Sequence, residues 1–247
     1  MTSKSLQALN LRNLLKTGAF RFIDASTPWF YYTSGQVGPY YVQSISIEKD
    51  GTKYACAVKS LVALIKAEIG RFDVISGGET RDWDFSNPVA VSLKKPHAKM
   101  YKDGRLIGAD VKGKTVLHVA DLNNEGSSVR DYWRPIIAKN GGSLIAVVSF
   151  VDRMEEGVEL FKKIGLPSFP VVPLDKPAWD LILTDGLISG GLHKQLIARM
   201  RDRRKWAVNA LLANPEYFRR FYSADATRAK AEKIMRTYPE ITERFRK

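Results

Sequence analysis

Apolar residues recur along this chain at two spacings, one typical of helices and one typical of strands. Within residues 50–70 the apolar side chains fall three or four positions apart, so they form one stripe of a helix. This spacing predicts an amphipathic helix that ends at Gly70, and residues 5–17 are expected to form a helix as well. The stripe consists of Tyr54, Val58, Leu61, Val62 and Ile65.

Apolar runs predict the strands. Three short β-type runs, RFIDA, WFYYTSG and PYYVQSI, come before the first long helix. Longer apolar runs follow in FDVIS, KTVLHVAD and SLIAVVSFVD, with HAKMYK and FPVVPL as further strands. Between them, SSVRDYWRPIIAKNGG predicts a helix stopped by glycines, and Pro88 predicts the start of a short helix that ends at KKP. Because strands alternate with helices, we expect an α/β fold with a mainly parallel twisted sheet flanked by helices.

The last third of the chain has a different pattern. From about Trp179, apolar residues recur at helical spacing, and most positions between them are Lys or Arg. The turn Asp175–Pro177 is the best boundary, so residues 1–174 are predicted to form the sheet domain and 175–247 a basic helical extension. We expect the extension to pack on the sheet domain, because about 70 residues rarely bury a sufficient core alone.

Composition narrows the class of protein. The chain has 247 residues, of which 45% are apolar, and it contains no apolar run of the ~18 residues that a membrane span needs. The N-terminus lacks the pattern of a secretion signal. Cys56 is the sole cysteine and lies in a helical pattern, which excludes an internal disulfide and predicts a buried structural thiol. These features indicate a cytoplasmic protein.

The formal net charge of +13 suggests a polyanionic partner, either a phosphorylated metabolite or nucleic acid. Lys and Arg are concentrated in residues 194–247. A solvated helical surface is the favoured interpretation of this region. A nucleic-acid contact is less favoured, because the aromatic and glycine pattern of an RNA-binding module is absent from the sequence.

One stretch, TVLHVADLNNEGSSVR, carries the main chemical signal. An apolar strand leads to Asp121, a loop of small and polar residues follows with Gly126, and a helix is expected to begin near Ser127. A loop between a strand and a helix N-terminus offers backbone N–H groups to a phosphate. We therefore predict a phosphate site from Asp121 to Ser128, although Glu125 brings a negative charge into the loop.

Other chemistry-bearing residues follow neighbouring strands. Gly77 and Gly78 end one predicted strand, and Asp152 and Arg153 end another. Ligands of open α/β sheets bind at the carboxyl ends of the strands, so these residues are expected near Asp121. Taken singly, Asp121 could be a helix N-cap and Asp152–Arg153 a surface ion pair.

From about Leu6 to Leu174 the sequence resembles the type I phosphoribosyltransferases, and among them the orotate phosphoribosyltransferases. YYTSGQVGPYYVQ resembles the N-terminal hood of the family, and FDVISGG its pyrophosphate-loop strand. VLHVADLNNEGSSV resembles the ribose 5-phosphate motif, and GGSLIAVVSFVDRMEEG the strand that follows. The order and spacing of these pieces carry the resemblance more than any single one does.

The resemblance implies transfer of a phosphoribosyl group from phosphoribosyl pyrophosphate (PRPP) to a pyrimidine-type base, with Mg²⁺, by a homodimer. It also implies roles for individual residues. Lys102 and Asp121 would be catalytic, and Asp121 would help to hold the metal. The implied binding residues are Asp121, Asn124, Gly126, Ser127 and Ser128 for the ribose phosphate, Gly77, Gly78 and Arg81 for pyrophosphate, and Tyr41 and Arg153 for the base.

Several family positions are altered. Ala120 stands where the family has the first of two adjacent acids, and Thr33 replaces a lysine before the hood turn. At the hood aromatics Tyr41 is kept, and Val42 stands at the next position. The pyrophosphate loop is longer than in the family and lacks its lysine, for which Arg81 is the available cation.

The long mobile loop of the family is expected to be truncated. One alignment places Tyr101 and Lys102 at its Arg-Lys pair and removes most of the loop. A rival alignment uses Lys94 and Lys95 and keeps the loop length, but it leaves about five residues for the preceding helix, fewer than the ~8 of a short helix. These losses leave an alternative open, a catalytically degenerate relative that binds a nucleotide or phosphoribosyl compound as a sensor or scaffold.

The homodimer prediction has a second motive in the aromatic run Trp29 to Tyr32, which is too long to hide easily on one strand face. The alternative is that these four side chains pack beneath the C-terminal helices of their own chain.

Overall fold

The computed structural model describes residues 3–242. They divide into two compact units. The first contains residues 3–19 and 43–178, and the second contains residues 20–42 and 179–242. The second unit therefore joins the hood segment to the C-terminal helices, whereas the sequence analysis assigned the hood to the first domain. Whether the extension packs on the sheet domain stays a prediction.

The elements below are numbered in chain order. The helices are α1 (Ser3–Lys16), α2 (Gly51–Glu68), α3 (Asp82–Leu93), α4 (Arg134–Lys139), α5 (Glu156–Lys163), α6 (Lys176–Thr184), α7 (Gly190–Arg201), α8 (Arg203–Ala213), α9 (Pro215–Ser223) and α10 (Asp225–Thr237). The strands are β1 (Phe20–Phe22), β2 (Phe30–Tyr31), β3 (Val37–Gly38), β4 (Tyr40–Val42), β5 (Val74–Gly78), β6 (His97–Met100), β7 (Leu106–Gly108), β8 (Thr115–Asn123), β9 (Ser143–Asp152) and β10 (Ser168–Pro173).

The first unit is built on a six-stranded sheet in the order β10-β9-β8-β5-β6-β7. All neighbouring strands are parallel except β6 and β7, which form an antiparallel hairpin. The α/β fold predicted from the apolar pattern is confirmed. Because β5, β8 and β9 are neighbours, their carboxyl ends lie side by side, and those ends carry the residues singled out by the sequence.

Burial explains why the central strands are continuously apolar. In β9 every residue from Ala146 to Asp152 is buried, which is expected for a strand covered on both faces. One core cluster contains Val116 of β8, Phe161 of α5, and Trp133, which immediately precedes α4. The apolar pattern did not predict α5, whose eight residues begin four positions after the end of β9.

Pro88 lies inside α3 rather than near its start, so that expectation was wrong. The helix begins six residues earlier, at Asp82. Proline has no N–H to donate to the carbonyl four residues before it, which here is Asp84 O. The hydroxyl of Tyr54 donates a hydrogen bond to that carbonyl. A tertiary contact thus satisfies the group that Pro88 leaves without its helical partner.

The second unit buries the aromatic run of the hood. Trp29 is 1% exposed, and its ring contacts the rings of Tyr217 and Phe221, which lie one turn apart on α9. Tyr32 is also buried. Arg199 Nε donates to Val37 O, which ties α7 to the hood strands. Trp29, Tyr31 and Tyr32 are therefore in contact with C-terminal helices, as the alternative interpretation held, while Phe30 packs against Tyr41. The run no longer supports the homodimer, which stays a prediction.

The C-terminal region is helical up to the last described residues, as its spacing predicts. The stretch 243–247 of the predicted basic extension lies outside the described residues. Within residues 3–242, the helices are too short or too polar for any of them to span a bilayer.

Candidate active site

Two glycines end β5 because neighbouring side chains approach its backbone closely. A Cβ at Gly78 would overlap the indole ring of Trp133, and one at Gly77 would overlap the hydroxyl of Ser86. Gly78 N–H donates to Asp82 Oδ2 at 3.0 Å, and Trp83 Nε1 donates to Gly77 O at 2.9 Å. Gly77 is thus packed against α3, whereas Gly78 is packed against Trp133 and has its N–H held by the first turn of α3.

The carboxylate of Asp82 accepts hydrogen bonds from two neighbouring strands, β5 and β8. While its Oδ2 accepts from Gly78 N–H, its Oδ1 accepts from Asp121 N–H at 3.0 Å. The residue is 9% exposed, and it is the first residue of α3, where a negative charge interacts favourably with the helix dipole. His118 Nε2 lies 3.3 Å from Asp82 Oδ2, without hydrogen-bond geometry. The sequence analysis did not single out Asp82 or His118.

Asp121 is buried beside this carboxylate. Burial, together with the negative charge of Asp82, raises the pKa of Asp121 to about 7. A hydrogen bond from Ser44 Oγ to Asp121 Oδ2, 2.6 Å long, and the nearby charge of Arg81 act in the opposite direction. Asp121 is therefore a carboxyl that changes its proton occupancy near neutral pH, a property frequent at functional sites.

The predicted ribose-phosphate loop follows β8, which extends two residues beyond Asp121 to Asn123. Gly126 has a φ of +69°, and a Cβ there would lie 2.9 Å from Phe161 Cε1, so both conformation and space require glycine. Gly157 N–H donates to Asn124 O at 2.9 Å, which holds the loop against α5. The loop is therefore fixed in shape by the residues around it.

Donor groups remain at this loop. Helical structure begins at Ser127, and the hydroxyls of Ser127 and Ser128 make no hydrogen bond within residues 3–242. Asn124 Oδ1 is buried and accepts no hydrogen bond from the described residues. Glu125 acts electrostatically on Arg130, whose pKa is raised first by Asp131 and further by Glu125. The acid in the loop thus has a cation of the following helix as its neighbour.

At the end of β9, Asn123 Nδ2 donates to Asp152 Oδ2 at 2.7 Å, and burial raises the pKa of Asp152. Arg153 is 6% exposed, and its Nη2 lies 2.9 Å from Glu155 Oε1, which is equally buried. The positive charge predicted to face an orotate carboxylate is therefore already compensated by an acid of the same loop. Glu155, like Asp82 and His118, was not predicted from the sequence.

A short turn replaces the long mobile loop. Tyr101 N–H donates to Arg105 O at 3.0 Å, and this turn joins β6 directly to β7. Lys94 ends α3 in the left-handed conformation, with a φ of 51°. The helix before it has 12 residues rather than about five, so helix length does not argue against the rival alignment, and the choice between the two alignments stays a prediction.

The remaining predicted residues lie in three places. Lys102 N–H donates to Glu79 Oε1 at 3.1 Å, and its Nζ lies 5.8 Å from the ring centroid of Tyr132. Arg81 is exposed immediately before α3. Tyr41 lies on β4 in the second unit, with its ring centroid 6.5 Å from that of Phe30. The first unit thus brings together the predicted glycines, Asp121 and the phosphate loop, while the roles of all these residues stay predictions.

Comparison with known proteins decides the family. No family model matches the chain. It is 32% identical over 143 residues to the orotate phosphoribosyltransferase of Sulfolobus acidocaldarius, which covers 56% of this chain and 71% of that protein. The orotate phosphoribosyltransferase of Pyrobaculum aerophilum is 32% identical over 160 residues, 62% of this chain and 79% of that protein. This chain belongs to the orotate phosphoribosyltransferase family.

Solved orotate phosphoribosyltransferase structures share the fold. That of Francisella tularensis superposes with a TM-score of 0.64 at 16% identity, over 77% of this chain and 96% of that one. The structure from Aeropyrum pernix has a TM-score of 0.61 at 22% identity, over 72% of this chain and 99% of that one. The structure from Mycobacterium tuberculosis in complex with PRPP has a TM-score of 0.53 at 19% identity, over 68% of this chain and 96% of that one. The resemblance seen in the sequence is therefore confirmed at the level of family and fold.

The magnesium expected of an orotate phosphoribosyltransferase has few ligands in this chain. No group of three or more His, Cys, Asp or Glu among residues 3–242 could hold a metal ion. Asp121 is the single acid retained from the predicted pair, and its Oδ2 already accepts from Ser44. A carboxyl with a pKa of about 7 also competes poorly for a cation. The described residues therefore form no metal-binding group of three such side chains, and Mg²⁺ held jointly by Asp121 and substrate phosphates stays a prediction.

Proposed function

We propose that this orotate phosphoribosyltransferase-like protein transfers a phosphoribosyl group from PRPP to a pyrimidine-type base. The observation that carries the proposal is the rigid loop from Asp121 to Ser128, which follows the end of β8 beside the glycines of β5. The complex of the Mycobacterium tuberculosis relative with PRPP supports the choice of ligand.

In this proposal the ribose 5-phosphate is held by donors of the loop, namely the N–H groups after Gly126 and the hydroxyls of Ser127 and Ser128. An anion at this position gains from the N–H groups that begin the following helix. Asp121 would then lie near the sugar, where positive charge develops as pyrophosphate leaves. A buried carboxylate stabilises such charge more strongly than an exposed one does.

We expect turnover to be slow. Lid loops exclude water and complete a site after the substrate binds, and the turn from Tyr101 to Arg105 is too short to do so. Arg153 would also have to exchange Glu155 for the carboxylate of orotate. Both observations favour the second candidate function, which is binding of a nucleotide or phosphoribosyl compound without catalysis.

A turnover assay with PRPP and a panel of pyrimidine bases tests the proposal, run with Mg²⁺ and with a chelator. Calorimetric titration of uridine 5′-monophosphate and ribose 5-phosphate accompanies it. Nucleotide formation supports transfer, and ligand binding without turnover supports the second candidate. If neither ligand binds at millimolar concentration, both functions are contradicted. The Ser127→Ala, Ser128→Ala double variant is the control, because it removes two donors and leaves the backbone intact.

The homodimer and a cytoplasmic location belong to this proposal as well. Light scattering at micromolar concentration tests the first, and a monomer mass would contradict it. Fractionation of the source cells tests the second.

A further inference from the structure

The pyrophosphate end of the candidate site is filled by the chain's own carboxylate. Asp82 Oδ2 accepts from Gly78 N–H and Asp82 Oδ1 from Asp121 N–H, each at 3.0 Å. The first N–H group belongs to the last residue of β5, and the second to Asp121, two residues before β8 ends, at the edge of the sheet where ligands of such folds bind. Both oxygens of Asp82 are thus occupied in bridging the two strands.

Other acids surround this point. The carboxyl of Asp121 is near enough to Asp82 for their charges to interact, and Glu79 Oε1 is held by Lys102 N–H. The cation that faces them is Arg81, which is exposed and acts on Asp121. The other nearby basic groups face aromatic rings, with Lys99 Nζ 5.3 Å from the ring centroid of Trp83.

We infer that Asp82 acts as an internal anion at the pyrophosphate end, so that the site takes nucleoside 5′-monophosphates in preference to PRPP. This inference rests on the proposed function, because it concerns the ligand of the same site. A nucleoside 5′-monophosphate brings its phosphate to the loop after β8 and places no anion against Asp82. PRPP brings a second anionic group, which must displace Asp82 from both N–H groups or bind beside it.

Electrostatics favours the carboxylate of Asp82 over an incoming pyrophosphate group. Asp82 is buried, begins α3 and receives two backbone hydrogen bonds, and each of these last two features stabilises its negative charge. A pyrophosphate carries several negative charges, and like charges at contact distance in a poorly screened site repel strongly. Loss of the charge at residue 82 should therefore improve the binding of pyrophosphate-bearing ligands selectively.

Isothermal titration of the full chain tests the inference with three probes: uridine 5′-monophosphate, PRPP and inorganic pyrophosphate. For the wild type we expect uridine 5′-monophosphate to bind at least tenfold more tightly than PRPP. In Asp82→Asn, which keeps the side-chain shape and one acceptor, the affinities for PRPP and pyrophosphate should rise at least tenfold. The affinity for uridine 5′-monophosphate should stay within threefold.

Asp84→Asn is the matched control. It removes a carboxylate from the same helical turn, and Asp84 makes no side-chain hydrogen bond to the ends of β5 or β8. All three affinities should match those of the wild type. An equal gain in the two variants would show a general charge effect and overturn the role of Asp82.

The remaining outcomes are distinct. If PRPP binds the wild type as tightly as uridine 5′-monophosphate and Asp82→Asn changes nothing, the inference is wrong while the proposed function stands. If none of the three probes binds either protein, the proposed function fails and the inference fails with it. Should Asp82→Asn not fold, competition between pyrophosphate and uridine 5′-monophosphate on the wild type still decides, because effective competition would contradict the inference.

Discussion

The two ends of the candidate site lie on neighbouring strands and yet offer a ligand opposite surroundings. At the end of β8 the loop keeps donor groups, and Ser127 and Ser128 make no hydrogen bond within the described part of the chain. At the end of β5 the donor of Gly78 is already used by Asp82, and an indole ring covers the glycine. The same sheet edge therefore presents one open end and one end that the chain itself fills.

Under our inference about Asp82, a strand-end site keeps its position in the fold while its backbone donors are occupied within the chain. The donors at the end of β5 are present in sequence and in place, but their hydrogen bonds are made within the chain. A ligand gains little from a donor that must first give up a buried partner, since leaving that partner without a hydrogen bond costs about 1–3 kcal/mol. Retention of a motif thus says less about binding than the occupancy of its hydrogen bonds.

The largest effect is expected at the open end. In Gly126→Val a branched side chain would adopt a strained positive φ and collide with Phe161, 2.9 Å from the Cβ position. We expect ribose 5-phosphate affinity, measured by calorimetry, to fall at least 100-fold and stability by about 1–3 kcal/mol.

Gly104→Val is the control for that strain. Gly104 also has a positive φ, 95°, but no atom outside its immediate neighbours lies within 4 Å of its Cβ position. It should lose stability without losing ligand affinity, and an equal loss of affinity would contradict the assignment of the loop as the phosphate site.

The next effect concerns Asp121, which lies between the two ends. Its pKa is raised to about 7 from an ordinary value of 3.8, chiefly by burial. Between those pH values the folded protein holds a proton that the unfolded chain releases, so this contribution to stability falls as the pH rises. Urea unfolding from pH 4 to pH 7 should show the wild type losing on the order of 2–4 kcal/mol relative to Asp121→Asn.

His97 provides the opposite sign as a control. Burial lowers its pKa to about 4 from an ordinary 6.5, so the unfolded chain binds the extra proton between these values. Stability from this group rises with pH, and the wild type should gain relative to His97→Gln from pH 4 to pH 6.5. A pH-independent difference between the wild type and Asp121→Asn would refute the shifted carboxyl.

A smaller effect is expected at the filled end. Gly78→Ala forces a methyl group against the indole of Trp133, which is 2% exposed and cannot move into solvent. Overpacking of this kind destabilises by about 1–3 kcal/mol. Thermal melting should show that loss, while Gly70→Ala, with nothing within 4 Å, serves as the control. Ribose 5-phosphate affinity should change in neither variant, and a large loss in Gly78→Ala would remove the distinction between the two ends.

The smallest effect is expected for Lys102. Its N–H, not its ammonium group, is held by Glu79, and Nζ lies near the ring of Tyr132. Lys102→Gln should change PRPP affinity less than threefold, since an anion gains little from one exposed cation. A tenfold loss would show that the short turn retains a part of the missing lid.

Much of the fold could be predicted from the sequence because the spacing of apolar residues agrees with the burial of the elements that they form. The run SLIAVVSFVD forms β9 from its first residue to its last, since a strand covered on both faces must be apolar throughout. Pro88 misled because the carbonyl that it leaves vacant, that of Asp84, accepts a hydrogen bond from Tyr54, which lies 30 positions before Asp84 in the sequence. Local pattern contains no signal for that contact.

The position of the candidate site could be predicted from the sequence, but the hydrogen bonds made within it could not. The strand-end rule placed Gly78 and Asp121 together, and Asp82 does connect their N–H groups. Asp82 itself gave little signal, because an acid in the first helical turn is common for reasons of capping alone. The bond from Ser44 to Asp121 spans 77 residues of sequence and needed the tertiary structure to be seen.

The discontinuous second unit has a consequence for synthesis on the ribosome. Its hood strands are made early, yet Val37 N–H donates to the hydroxyl of Tyr238, 201 residues later in the chain. At a translation rate of about 5–20 residues per second, the partner emerges roughly 10–40 seconds after the strand. For most of that interval, until α9 is made, Trp29 lacks the rings that bury it. The nascent chain therefore exposes an aromatic segment until its final helices leave the exit tunnel, which makes this segment the expected point of chaperone engagement.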